Sequence, residues 1–107
     1  MIKLTVLYNL PKGADHDAFI RWRTTEHQKE NMDMEGLIKS DFYIIKRAWN
    51  MEKAPYVYMT EAYFTDVNSF EKSFYDPEYQ KKLRGWLKDI ADPIFLISEE
   101  VITEVKS

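Results

Sequence analysis

Three observations predict an α+β fold, a ferredoxin-like βαββαβ sandwich with a four-stranded antiparallel sheet. Alternating apolar residues at the start of the chain and three further runs rich in β-branched and aromatic residues supply four strands. Two amphipathic stretches, each opened by an Asp, supply the helical layer. Their order, strand–helix–strand–strand–helix–strand, is met most economically by one sheet carrying both helices on one face. No linker, repeat or shift in composition divides the chain, so residues 1–107 read as a single domain.

Each element has its own signal. Ile2, Leu4, Val6 and Tyr8 alternate with Lys3, Thr5, Leu7 and Asn9, the period of a half-buried strand. Pro11-Lys12-Gly13 breaks it, Asp15 is a good N-cap, and residues 16–34 read as one helix with Gly36 as its stop. The run from Phe42 to Trp49 reads as the second strand, Met51 to Pro55 as a connection, and Tyr56 to Phe64 as the third strand. Asp66 caps a short helix with Val67, Phe70 and Phe74 on one side, and Asp76-Pro77-Glu78 restarts it. The renewed helix places Tyr79, Leu83, Trp86, Leu87 and Ile90 on one face. Asp92-Pro93 ends it, and Ile94 to Val105 is strand-like, with a break near Ser98-Glu99-Glu100. Helices on one face leave the other face bare, and that face must carry large apolar groups of the second and third strands. The expectation is a homodimer through sheet faces, closing into an α/β barrel.

Composition excludes several kinds of chemistry. With no cysteine, thiolate catalysis, redox CxxC pairs, thiolate metal sites and disulfides are ruled out, and two histidines make a His-rich metal cage improbable, so no metal or cofactor is expected. A net charge of −3 is poor for binding a phosphate backbone, so no nucleic-acid partner is expected. No GxGxxG, Walker A, GxSxG, HExxH or EF-hand pattern occurs. Met1 to Thr5 begins no secretory signal, apolar runs are short, and the polar face of the last helix mixes Lys81, Lys82 and Lys88 with Glu78 and Asp89. No membrane association and a cytoplasmic location are the expectations. The surplus is aromatic: three Trp, seven Tyr and six Phe, more than a small core needs.

The first helix carries the informative anomaly. At about 100° per residue, Phe19, Trp22, Ile20, Ala18 and Met34 mark its buried face, and Asp17, Arg21, Thr24, Gln28, Asn31 and Glu35 its polar side. Yet Arg23, Glu26, His27 and Glu30 project from the buried face as well. Either the helix runs off the end of the sheet, with Arg23 pairing locally with Glu26 and Glu30, or helix and sheet diverge around a cavity walled by Arg23 and His27. His27 is the side chain suited to proton transfer near neutral pH, and Glu26 or Glu30 could orient or charge it. His16, beside Asp15 and Asp17, reads as a solvated first-turn residue.

The string Phe19-Ile20-Arg21-Trp22-Arg23-Thr24-Thr25-Glu26-His27, then Met34-Glu35-Gly36-Leu37, Arg47 and the closing Leu96-Ile97-Ser98-Glu99-Glu100-Val101, resembles the EthD-like family of the dimeric α/β-barrel superfamily. In that pattern the Gly-Leu segment opens the second strand and the Arg closes it. Where the family often follows its His with a small residue and Pro-Leu, this chain has Gln28-Lys29-Glu30. The resemblance spans nearly the whole chain and implies the fold already argued, together with a pocket between sheet and helices for a small aromatic or polyketide-like molecule. Of the residues singled out, His27 alone matches a family position suspected of function.

Three functions follow as expectations. The first is binding of a small aromatic or polyketide-like ligand, extended to a cofactor-independent cyclase, isomerase or monooxygenase of aromatic-compound metabolism. There His27 is general acid or base, Tyr8 or Tyr58 hydrogen-bonds a developing enolate, and Arg23, Phe19, Trp22 and Trp86 bind the ligand. The second is a non-catalytic dimeric binding or accessory module. The third is a haem-linked monooxygenase with His27 as axial ligand, for which Asn9 and Trp49 supply residue types of the haem-degrading branch.

Overall fold

The computed structural model describes residues 1–107. Eight elements follow one another: β1 (Ile2–Asn9), α1 (His16–Thr24), α2 (Glu26–Met32), β2 (Leu37–Ile44), β3 (Tyr58–Phe64), α3 (Val67–Phe74), α4 (Pro77–Leu87) and β4 (Ala91–Glu99). The strands form one antiparallel sheet in the order β2-β3-β1-β4. This is the predicted ferredoxin-like α+β fold. No helix is long and apolar enough to cross a membrane.

The core forms where period-two strands meet helical aromatics. Ile2, Leu4, Val6 and Tyr8 of β1 are buried with Tyr58 and Phe64 of β3, and against them pack Phe70 and Phe74 of α3. Asp caps start three of the four helices, α1, α3 and α4. Asp15 accepts from the Ala18 amide at 3.0 Å, Asp66 from Ser69 at 2.8 Å and Asp76 from Tyr79 at 3.1 Å, each satisfying an amide the helix cannot. Gly36 sits at φ +81°, and a Cβ there would come within 3.2 Å of Ser69 Cβ, so this turn into β2 requires glycine.

Five features depart from the sequence reading. The helix expected over 16–34 is broken at Thr25 (φ −118°, ψ −89°). Thr24 and Thr25 donate their hydroxyls to the carbonyls of Ile20 and Arg21 at 2.8 and 2.6 Å, side-chain bonds that compete with helix continuation. Strand β2 spans Leu37–Ile44 rather than 42–49, because Phe64 to Tyr58 of β3 offers it a ladder only from Leu37 to Ile44. Residues 45–57 form the connection, and β3 starts at Tyr58 rather than Tyr56. Asp92-Pro93 lies inside β4 instead of before it. Ala91 pairs with Asn9 and Ile94 with Leu7, so the two residues sit in an irregularity with Asp92 at φ +53°, on an edge strand where proline is tolerated. Strand β4 ends at Glu99, and residues 101–105 are not in a strand.

Paired residues share a face, so the register defines the helix-free side. Tyr43, Met59, Leu7 and Ile94 form one apolar row across all four strands. The next two rows are mostly polar and carry the ion pairs Lys3–Glu61 (2.7 Å) and Lys39–Asp41 (3.3 Å).

Candidate functional site

Between the sheet and the helices α1, α2 and α4 lies a half-open, mainly apolar cavity of about 100 Å³. Strand alternation brings Leu4, Val6 and Tyr8 of β1 to its floor, and helical spacing brings Leu83, Trp86 and Leu87 of α4 to one wall. The opposite wall is the end of α1 and the start of α2. Six of the predicted site residues meet here: Tyr8, Phe19, Trp22, Arg23, His27 and Trp86. Tyr58 does not. It is 1% exposed, and its hydroxyl points away to bond His16 Nδ1 at 2.6 Å. His16 is thereby tied to Tyr58, stacking on its ring as well, rather than merely solvated.

Arg23 is 2% exposed, whereas Arg21, the other arginine of its helix, is exposed. Its guanidinium donates to Gln28 Oε1 at 2.6 Å and to Thr60 Oγ1 at 3.3 Å, and lies 4.7 Å from the centre of the Phe42 ring. The local pairing considered from sequence, with Glu26 and Glu30, is absent; both carboxylates are exposed. The break at Thr25 explains this. A continuous helix would turn Gln28 outward and Glu26 inward, whereas the reoriented α2 points Gln28 at Arg23 and at the Ser40 carbonyl, 3.2 Å away. Burial pulls the Arg23 pKa below the ordinary arginine value.

His27 stands between two indoles. Trp22 stacks on it at 4.3 Å between centroids and 18°, and Trp86 meets it edge-on, also at 4.3 Å. Its Nδ1 is buried with no hydrogen-bond partner. Glu30 Oε1 is 3.9 Å from that atom, too far for a hydrogen bond, so the carboxylate expected to charge the ring does not do so. Burial first, and the positive charge of Arg23 second, push the imidazole down to about 4, leaving it neutral at pH 7. Tyr8 hydrogen-bonds Thr60 Oγ1 at 3.2 Å, and burial raises its phenol above the ordinary tyrosine value. Burial likewise pushes Tyr79, on the cavity wall, up to about 12.

Sequence reasoning missed Thr60 and Gln28. Thr60 had a visible signal, since it is the polar member of the inward row Tyr58, Thr60, Ala62, Phe64. Gln28 had none, because its direction depends on the helix break. The haem reading gains no support from the site, since the Trp22 and Trp86 indoles pack against the ring that would be the axial ligand.

Neither a family model nor a curated protein matches the chain. Solved structures do. An ethyl tert-butyl ether D (EthD) family protein of Bacillus halodurans aligns with a TM-score of 0.72 at 23% identity, over 94% of this chain and 99% of its own. The chain shares the ferredoxin-like fold of its structural neighbours, EthD proteins among them. A dimeric ferredoxin-like protein of unknown function from Thermobifida fusca aligns at 0.63 and 13% identity, over 91% of this chain and 88% of its own. SnoaB, a cofactor-independent oxygenase of Streptomyces nogalater, aligns at 0.66 and 10% identity, over 95% and 94%. Structures of this fold thus carry different descriptions, and the chemistry of this chain must be argued from its own cavity.

Proposed function

We propose that the chain is an EthD-like small-molecule-binding protein whose cavity takes a compact aromatic ligand, with His27 as the group that exchanges a proton with it. The observation that carries this reading is the half-open apolar cavity lined by an imidazole held between two indoles, with the Arg23 guanidinium and the Tyr8 phenol beside it. Its size narrows the ligand. A volume near 100 Å³ behind an open mouth suits a compact group, with the rest of a larger molecule lying outside. In this reading Trp22, Trp86 and Phe19 hold the ring, Arg23 and Tyr8 hold its oxygen substituents, and His27 is the general acid or base of a cofactor-independent cyclase, isomerase or monooxygenase. Tyr58 is no longer a candidate for the enolate contact, since its hydroxyl is turned to His16.

One observation favours the second reading, a non-catalytic binding or accessory module. An imidazole with a pKa of about 4 is a weak base, poorly matched to proton abstraction at neutral pH. Both readings include a homodimer through the helix-free face, supported by its apolar row and by the dimeric relative in Thermobifida fusca. They also include a cytoplasmic location, supported only by the lack of cysteine. Native mass spectrometry of the freshly purified protein is the test of binding, and a co-purified aromatic molecule is expected. Once that molecule is known, His27→Gln, which keeps most of the packing between the indoles, should abolish its turnover while the protein stays folded. Turnover that survives the substitution assigns the chain to the accessory reading.

A further inference from the structure

Arg23 is a buried cation without a counter-charge. None of the ion pairs of the fold includes it, and both of its hydrogen-bond partners, Gln28 and Thr60, are neutral. Tyr8, which also lies within reach of the guanidinium, is neutral as well. The one carboxylate on the cavity wall, Asp89, is exposed and beyond ion-pair distance from Arg23. A full charge taken out of water is costly unless an opposite charge joins it, and truncation to a neutral side chain would have removed that cost. The surroundings are nonetheless built to hold this cation in place. Gln28 fixes one end of the guanidinium, Thr60 the other, and the Phe42 ring lies beneath it. Beside it, Thr60 links Arg23 to the Tyr8 hydroxyl, and the His27 ring, whose Nδ1 is buried without a partner, lines the same cavity.

We infer that the cavity is completed by a ligand oxyanion: the ligand is a monoanion with a compact apolar body and a carboxylate, phenolate or enolate oxygen that pairs with Arg23. This rests on the reading of the cavity as a small-molecule site and specifies the charge of what it takes. Arg23 and Tyr8 form the polar end that receives the oxygen, and the indoles of Trp22 and Trp86 flank the ring. For an enolate, the same contact stabilises the charge that develops when a proton is removed from the neighbouring carbon. The proton stays within the site when His27 accepts it, and an anion beside the imidazole favours its charged form.

The test is a titration of the full-length protein at pH 8 with three probes, followed by calorimetry and by the indole N–H signals in NMR. Benzoate and 4-nitrophenolate carry the oxyanion in its two forms, and benzamide is the neutral match for benzoate. Expected is binding of at least one anion about tenfold or more tighter than benzamide, with its signal shifts at Trp22 and Trp86. Which anion binds better separates carboxylate from phenolate recognition. Arg23→Lys should retain part of the preference and Arg23→Gln should erase it. Benzamide binding as well as benzoate and 4-nitrophenolate overturns the oxyanion inference while leaving the small-molecule reading intact. Failure of all three to shift either indole overturns both. The comparison of probes on the unsubstituted protein decides the matter even where Arg23→Gln does not fold.

Discussion

Burial holds the His27 imidazole at about 4 against an ordinary value of 6.5, and this ties the stability of the fold to pH. Between those two values the unfolded chain carries a proton at His27 that the folded chain does not. Stability is therefore complete above pH 6.5, falls as pH drops through the window and levels off below about 4. The loss amounts to about 2 kcal/mol, since solvent reaching part of the ring reduces the effect. Urea midpoints of the wild type and of His27→Gln, measured from pH 7 to 4, should diverge across this window; parallel curves would show that the ring is not held neutral. Thr60→Val tests the neighbouring link. The substitution keeps the volume but leaves Arg23 and Tyr8 each short of a partner, and should cost about 1–3 kcal/mol in equilibrium denaturation. A loss below a few tenths would mean that Thr60 bonds to neither in solution. Much of this residue-level picture was legible in advance: the helical wheel placed both Arg23 and His27 inward. Their isolation from Glu26 and Glu30 was not, because it depends on a backbone break no wheel contains.

Among the elements, α2 is the least secured. It has seven residues, no side-chain cap and no fully buried residue, yet it carries His27 and Gln28. Short helices without such support open at low cost. Amide hydrogen exchange in residues 27–32 is expected to be faster than in α4, and to slow when a ligand occupies the cavity. Equal protection of the two helices would contradict this. The contrast with α3 and α4 is instructive for reading sequences. Asp66 and Asp76 announced those helices correctly, because a cap depends on three or four adjacent residues. The break at Thr25 arises from two hydroxyls choosing the carbonyls of Ile20 and Arg21 over solvent, a choice propensity does not encode. For β2 the aromatic run drew the expected strand toward Trp49, whereas pairing with β3 fixed it earlier, from Leu37. Local preference was overruled there by a partner strand distant in sequence.

The whole molecule presents two unlike faces, one covered by helices and one bare. On the bare face, apolar character is concentrated in the row Tyr43, Met59, Leu7 and Ile94, while Lys3–Glu61 and Lys39–Asp41 occupy the rows beyond. Such a face is suited to a two-fold contact in which the apolar rows meet and the charges form a rim. Light scattering coupled to size exclusion should report twice the chain mass for the wild type. Met59→Glu, in the middle of the row, should shift it to the single-chain mass with the far-UV circular dichroism unchanged. A wild type that elutes as a single chain at high concentration would rule this assembly out. The order of elements was sufficient to foresee a bare face, because two helices cannot cover both sides of a sheet. Which rows are apolar required the register.

The placement of the three tryptophans has a practical consequence. Trp22 and Trp86 flank His27, whereas Trp49 is 90% exposed in the connection after β2. Trp49→Phe would therefore remove a solvent-quenched background and leave an emission spectrum that originates entirely at the cavity. An excited indole is quenched more strongly by an imidazolium than by a neutral imidazole, so that residual emission would act as a built-in optical gauge of the charge on His27. It would register a bound molecule and a transferred proton in the same measurement, without any added label.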